Sequence, residues 1–313
     1  MTVGGTGKSV FVAWLAKESK FFDKPAVLLH GYKSPILVSQ NVFIVSDGSS
    51  IFGDASVVGD EPLHIAEQGN IATAIGKDRS QALQALLKAL PVTGRPDAVI
   101  LDDGYQTATI QKDCSILLVD ARYPFGNGYL LPAGPLREHD YSRADIIIFT
   151  HADEVDFSLI DLKKRYFPSV NPIRIVGGRH VFAGIDIVAG KAFMENFQES
   201  IVLCSGIANP YNLEKTAREA GFNIVHHIIF PDHHNYEIHD VQGILDHMIA
   251  LKNVALVTTA KDWTKLRSFA KAFSDAGIVC QIVKIRFEFL TSDEYATFVA
   301  LLQNVLVEGR AAQ

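Results

Sequence analysis

A chain of 313 residues, 48% hydrophobic and 20% charged, is long enough for two domains and apolar enough to fill their cores, which excludes a disordered scaffold. Its 29 Lys and Arg against 35 Asp and Glu leave a formal charge of −6, so general attraction to nucleic acid is excluded and any cationic site must be local. Cys114, Cys204 and Cys280 are odd in number and far apart, which fits neither a disulfide framework nor a metal knuckle; a reducing compartment is expected.

In chain order, the first segment of interest is Gly4-Gly5-Thr6-Gly7-Lys8-Ser9, followed by a run in which Val10, Phe11, Trp14 and Leu15 fall on one helical face. Glycines let backbone N–H groups converge on an anion, Lys reaches the outer phosphate oxygens, Ser can hold Mg²⁺, and a helix N-terminus lies behind. The strict spacing G-x-x-x-x-G-K-S would require Gly where Thr2 stands, so a Gly-rich surface turn is the alternative. That alternative leaves Lys8 and Ser9 without a task.

Short apolar runs then recur at Ala26 to Leu29, Val42 to Val45, Ala98 to Leu101, Ser115 to Val119, Asp145 to Phe149, Ile201 to Cys204 and Val254 to Val257. Such runs suit parallel strands covered by helices on both faces, so the pattern reads α/β. Leu83, Leu86, Leu87 and Leu90 predict a core-facing helix between the second and third of them. The alternation breaks between Asn171 and Gly184, where two short strand-like runs, Ile173 to Val176 and His180 to Phe182, mark a domain boundary. Stretches free of Asp, Glu, Lys and Arg reach only 14 residues, Tyr123 to Leu136 and Ser200 to Leu213, short of the roughly 18 to 20 a membrane span requires. No charged leader with an apolar core is visible, so no export is expected.

The strand-like Ala98 to Leu101 runs into Asp102-Asp103-Gly104-Tyr105-Gln106. An acidic strand end can hold the Mg²⁺ that bridges nucleotide phosphates, although a strand entering an ordinary Asp-Gly turn looks the same. Lys8 and Ser9 in the same chain favour the first reading. Five histidines lie within the 14 positions from His226 to His239, yet His226 and His227 are neighbours on a strand-like run and point to opposite faces. Catalytic use of Asp232 to His234, a solvated loop and a metal site are the three readings left open. Gly59-Asp60-Glu61-Pro62 and the long Gly126 to Glu138 segment are loop-like by their Gly and Pro content, and a long loop beyond a strand is a usual place for substrate contact.

Taken in order, these segments with Ser205 to Pro210, Phe230 to His234 and Thr259 to Asp262 resemble the tetraacyldisaccharide 4′-kinases, the lipid A 4′-kinases. The likeness runs from residue 2 to about residue 270, and Gly126-Asn-Gly-Tyr-Leu-Leu-Pro-Ala-Gly-Pro-Leu-Arg-Glu138 is its most specific part. That family's phosphate loop also lacks the first Gly of the common pattern. The resemblance implies a kinase moving the γ-phosphoryl of ATP to the 4′-hydroxyl of a tetraacylated glucosamine disaccharide 1-phosphate, as a peripheral protein at the cytoplasmic face of the inner membrane.

It further implies a P-loop NTPase-like, mostly parallel sheet core at 1–172, a two-stranded hinge at 173–186 and a smaller C-terminal α/β domain at 187–313, with the site in the cleft between domains. Gly4, Gly5, Thr6, Gly7, Lys8 and Ser9 would bind ATP. Ser9, Asp102 and Asp103 would hold Mg²⁺, with either carboxylate as the direct ligand. Asp60 and His233 would form the general-base pair, with His234 as the alternative to His233, and Lys8 would complete the catalytic set. A P-loop enzyme for a small soluble substrate, or a nucleotide-binding module without catalysis, are the competing functions.

Overall fold

The structure, a computed structural model, describes residues 6–18, 21–190, 200–251 and 254–311. Thr6 and Gly7 lead into α1 (Lys8–Ala13), which continues through a π-helical turn. There follow β1 (Pro25–Leu29), β2 (Val42–Asp47), α2 (Ala55–Val58), α3 (Asp60–Ala66), β3 (Ala72–Gly76), α4 (Arg79–Ala89) and β4 (Ala98–Leu101). Next come β5 (Ile116–Asp120), β6 (Ile146–Thr150), α5 (Leu159–Tyr166), β7 (Ile175–Ala189), β8 (Ser200–Ser205) and α6 (Pro210–Glu219). The chain ends with β9 (Asn223–Ile229), α7 (Ile238–Leu251), β10 (Ala255–Thr259), α8 (Ala260–Leu266), α9 (Ala270–Asp275), β11 (Cys280–Phe289) and α10 (Ser292–Ala311). The architecture is α/β with mostly parallel sheets, in two compact units.

One unit comprises Met1–Leu15, Leu101–Val181 and Phe287–Gln313; the other comprises Ala16–Ile100 and Phe182–Arg286. Each is interrupted in sequence, whereas the expected division at 172 and 187 is continuous. Apolar runs announce strands but not the strands they pair with, so interleaving of this kind leaves no local mark. The crossing at Val181 and Phe182 falls inside β7 and within the expected hinge segment.

In the first unit β5 and β6 pair in parallel, Ile116 opposite Ile146, and β6 pairs in parallel with the start of β7, Ile147 opposite Ile175. Leu117, Val119, Phe149, Leu162 and Phe167 fill one core. A second apolar cluster joins Phe11 and Trp14 to Phe287, Phe289 and Phe298, with Phe11 and Phe287 centroids 5.0 Å apart. The helical face expected from residues 10 to 15 therefore packs inward. From Ile175 onward the two runs expected at 173–182 are one strand, with Ile173 and Arg174 in a short 3₁₀ turn before it; Gly177 and Gly178 stay in the strand because the side chains of Leu290 and Phe287 close on their α-carbons, leaving 2.6 and 2.3 Å for a Cβ.

In the second unit a four-stranded sheet has the order β2-β3-β1-β4, with β1 and β3 parallel and β2 antiparallel to β3. Its other strands run β11-β10-β8-β9, parallel throughout. Parallel strands end on the same side, which gathers the loops after β8, β9 and β10. Among the described residues no helix is long and apolar enough to cross a membrane.

Candidate active site

Gly4 and Gly5 lie outside the described residues. Thr6 is buried and its carbonyl accepts a hydrogen bond from Thr150 Oγ1 at 3.1 Å, which ties the loop to the end of β6. Gly7 caps α1 with φ of 76°, a left-handed conformation that L side chains avoid, and its carbonyl accepts from the Phe11 amide at 3.1 Å. Lys8 Nζ lies 3.4 Å from Thr6 Oγ1, a long contact. Lys8 and Ser9 begin α1, where amides without intrahelical partners favour an anion.

In the same unit Asp102, 7% exposed, follows β4, and Asp103 adopts φ of 53° beside it. Arg137 Nη1 reaches Asp103 Oδ2 at 2.5 Å across 34 positions of sequence, and Gln106 Nε2 donates to the Arg137 carbonyl at 3.4 Å. Tyr105 donates to the Asp140 carbonyl at 3.2 Å under the guanidinium of Arg143, which pairs with Glu138. Two segments read separately in the sequence are thus one polar structure. The long loop is knitted internally, Asn127 Nδ2 to the Ala133 carbonyl at 3.1 Å and Leu131 amide to the Leu136 carbonyl at 2.8 Å. It holds Tyr129, Leu130 and Leu131 out at 64, 42 and 54% exposure.

In the second unit Gly59, at φ of 90°, sets Asp60 on the first turn of α3. His233 Nδ1 lies 3.2 and 3.0 Å from the two Asp60 oxygens, and Lys265 Nζ lies 3.2 Å from Oδ2. Burial alone raises the Asp60 carboxyl, but the His233 hydrogen bond and the charges of Lys265, His233 and Lys261 outweigh it and hold the group well below the usual carboxylate range. The Asp60 hydrogen bond lifts His233 above 6.5 against the opposing effect of burial. His234 is engaged elsewhere, its Nε2 2.9 Å from Asp240 Oδ2 and its ring stacked on Phe230 at 4.7 Å. The geometry therefore brings His233, not His234, to Asp60.

A fully buried carboxylate, Asp262, fixes that loop. It accepts from the Gly206 amide at 3.1 Å, from Tyr236 at 2.9 Å and from Thr259 Oγ1 at 2.7 Å. The Gly206 carbonyl in turn accepts from the His233 amide at 3.0 Å. Three motif segments meet on one residue. On the same helix Lys261 and Lys265, four apart and so on one face, reach Glu61 at 2.6 Å and Asp60 at 3.2 Å. Sequence reading singled out the Thr259 to Asp262 segment without these roles and missed Lys265. The usable signal was Thr259 followed three positions later by Asp262, a helix-start pattern whose hydroxyl accepts from the Asp262 amide at 3.1 Å.

Ser205 Oγ, His227 and Glu214 form a chain with contacts of 2.9 and 3.2 Å, the connectivity of a nucleophile, its base and an orienting acid. Ser205 is fully buried and the adjacent Gly206 amide is already held by Asp262, so the chain joins β8, α6 and β9 without offering a reachable nucleophile. The ring of His226 meets that of His247 at a tilt, centroids 4.5 Å apart, and exposed His239 pairs with Glu237 and Asp240. Among the described residues no group of three or more His, Cys, Asp or Glu gathers as a metal site.

The sign of the linkage in the Asp60–His233 pair gives a testable pH window. Asp60, lowered on folding, contributes stability above its unfolded value of 3.8 and loses it as pH falls through the folded value. His233, raised on folding, contributes below 6.5 and loses it as pH rises through the folded value. The melting-temperature gap between the wild type and His233→Ala is expected to be wide at about pH 5 and narrower by about pH 8. A gap that widens with pH contradicts the pairing.

The sequence matches the family model described as Tetraacyldisaccharide-1-P 4′-kinase, LpxK, over residues 1–306. The tetraacyldisaccharide 4′-kinase of Pelobacter propionicus is 32% identical over 98% of this chain and 81% of its own length. That of Geobacter sulfurreducens is 35% identical over 85% of this chain and 72% of its own. A solved structure of LpxK from Aquifex aeolicus, an "apo" form in complex with ATP, matches over 97% of this chain and 86% of its own at 24% identity and a TM-score of 0.70, which shows a shared fold. With the family match spanning nearly the whole sequence and relatives of this identity over most of it, the chain belongs to the Tetraacyldisaccharide-1-P 4′-kinase family.

Proposed function

We propose that the chain transfers the γ-phosphoryl of ATP to the 4′-hydroxyl of a tetraacylated glucosamine disaccharide 1-phosphate, working as a peripheral protein at the cytoplasmic face of the inner membrane. The observation that carries this reading is the Asp60–His233 pair, 173 positions apart in sequence and 3.0 Å apart in space, in a member of a kinase family. Gly4, Gly5, Thr6, Gly7, Lys8 and Ser9 bind the nucleotide phosphates, with Lys8 neutralising charge on the transferred group. We retain the 173–186 segment as the hinge of the working enzyme.

Ser9, Asp102 and Asp103 offer only oxygen donors, which suits Mg²⁺. When bound it spreads the charge of the phosphoryl oxygens. Arg137 holds Asp103 by an ion pair in which both side chains are over a third exposed, so Arg137→Ala is expected to cost under about 1 kcal/mol of stability. The same change is expected to lower turnover about tenfold by freeing the Asp103 turn. Turnover unchanged in a transfer assay removes Arg137 from the site.

The protonation states divide the labour in the dyad. Asp60 is held low by the cations around it and is a poor proton sink, so it orients His233 through Nδ1–H. His233, raised by that contact, accepts the hydroxyl proton at Nε2. Lys265 faces the same carboxylate from α8, and removing its charge strengthens the pull of Asp60 on the imidazolium. Lys265→Met is therefore expected to move the acid limb of the kcat profile to higher pH. A pH–rate profile identical to that of the wild type excludes Lys265 from the unit.

Exposed Tyr129, Leu130 and Leu131, on the loop that carries Arg137, offer apolar surface to an acylated substrate. Labelled ATP tested with the lipid disaccharide in detergent micelles and with soluble sugars or nucleosides decides the substrate class. Transfer to the lipid in preference is expected. Efficient transfer to a soluble acceptor with none to the lipid overturns the proposal in favour of a soluble-substrate kinase, and ATP binding without any transfer favours a binding module.

A further inference from the structure

Helix α8 reaches both members of the proposed dyad, and all three lie in the same unit. Trp263 and Leu266 bury one side of the helix in the core that also takes Tyr236, Val241 and Ile244, which fixes it in place. From this base Lys265 Nζ meets Asp60 at 3.2 Å and Lys261 Nζ meets Glu61 at 2.6 Å, both at the start of α3. Asp262, fully buried on the same helix, contacts the loop that carries His233. Asp262 and Lys265 are three positions apart, about 4.5 Å along the helix axis, so less than one turn of helix touches both sides of the pair.

The two oxygens of Asp262 have different tasks. Oδ2 accepts from Thr259 Oγ1 at 2.7 Å and that hydroxyl accepts from the Asp262 amide at 3.1 Å, a reciprocal contact that starts the helix and needs only one oxygen. Oδ1 accepts from outside the helix, from the Gly206 amide at 3.1 Å and the Tyr236 hydroxyl at 2.9 Å. A carboxylate holds such neutral donors more firmly than an uncharged oxygen does. Gly206 passes the constraint on, since its carbonyl accepts the His233 amide at 3.0 Å. The two loops are so close there that a Cβ on Gly206 would stand 3.1 Å from both Asp262 Oδ1 and the Pro231 oxygen. His233 itself is at φ of 61°, a left-handed conformation that a residue with a side chain keeps only where its neighbours impose it. The bond to Gly206 at His233 and the bond to Asp262 three residues later at Tyr236 impose it from two sides.

We propose that Asp262 is a positioning residue for phosphoryl transfer: through Gly206 and Tyr236 it holds His233 in the conformation that meets Asp60, and with Lys265 it makes α8 the arm that sets the spacing of the pair. The inference rests on the reading of Asp60 and His233 as the catalytic pair. Being fully buried, Asp262 meets neither nucleotide nor acceptor, so it acts on kcat by way of that pair and leaves KM for ATP where it was.

The test is made with labelled ATP and the lipid disaccharide in micelles, on single variants and on variants that also carry His233→Ala. Asp262→Ala is expected to lower kcat on the order of thirtyfold with KM for ATP unmoved, and Asp262→Asn, which keeps an oxygen for Gly206 and Tyr236, to stay within about threefold of the wild type. Added to His233→Ala, Asp262→Ala is expected to cost nothing further, because the group it positions is already gone. Thr259→Val removes only the contact that starts the helix, so it is expected to lower the melting temperature while kcat stays within about threefold. Wild-type kcat in Asp262→Ala, a loss that multiplies with that of His233→Ala, or an equal loss in Thr259→Val overturns the proposal. If Asp262→Ala does not fold, Tyr236→Phe removes one tie and keeps the ring in the core; a fall in kcat of about fivefold that His233→Ala absorbs supports the proposal, and unchanged kcat overturns it. Wild-type activity in His233→Ala alone removes the catalytic pair itself, a result distinct from an inactive His233→Ala beside a fully active Asp262→Ala.

Discussion

Lys8→Ala is expected to lower kcat by at least about a hundredfold while the protein stays folded. Neutralising the phosphoryl group during transfer is worth several kcal/mol in a site that excludes water, and a hundredfold corresponds to about 2.7 kcal/mol. Lys8 supports little of the fold, since its contact with Thr6 Oγ1 is long at 3.4 Å, so thermal melting should change by no more than a few degrees. Because the ammonium is exploited more in the transition state than in the ground state, kcat should fall more than KM for ATP rises. Asp103→Ala should show a comparable fall through loss of the acidic strand end and its Arg137 tie. Single-turnover transfer with labelled ATP and a melt of each variant make the test. Activity within threefold of the wild type in Lys8→Ala sinks the ATP-site assignment.

The fold was legible where burial is uniform and hidden where the residues are small or charged. β1 and β6, buried at every position, contain runs of four apolar residues, Ala26 to Leu29 and Ile146 to Phe149, and announce themselves. β3 is buried at every position too, but Ala72-Thr-Ala-Ile-Gly76 carries too little side chain to stand out from a loop. β11 alternates apolar positions with Lys284, Arg286 and Glu288, so its signal is period two rather than a continuous run. Neither strand was expected. In β7 the paired glycines read as a break, although they are where aromatic and aliphatic neighbours come closest to the backbone.

The site divides in the same way. Lys8, Ser9, Asp102 and Asp103 carry local patterns that chemistry explains, and so were visible from the residues alone. Asp60 and His233 became a pair only through the family resemblance, because nothing in Gly59 to Pro62 points 173 positions onward. Asp262 and Lys265 sit on an ordinary amphipathic helix. Their roles come from tertiary contacts between segments 56 to 205 positions apart, which no window along the chain contains.

Asp60→Ala and His233→Ala are each expected to lower kcat by about a hundredfold or more with little change in KM for ATP, since they handle the acceptor's proton and not the nucleotide. The double variant should be little worse than the poorer single one. If His233 accepts the proton only because Asp60 orients it and raises its basicity, the second truncation removes a group that has already lost its purpose, and the two losses do not multiply. The pH profile adds a second constraint. In the wild type kcat should climb as His233 loses its proton, with the acid limb above 6.5, because the Asp60 contact raises that group. In Asp60→Asn the limb should move down toward the ordinary imidazole range as the negative charge is lost. His234→Ala, which disturbs a ring paired with Asp240 at 2.9 Å, should lower turnover far less than His233→Ala. Fully multiplicative losses in the double variant, together with an acid limb that Asp60→Asn leaves in place, would separate the two residues and return the proton to some other acceptor.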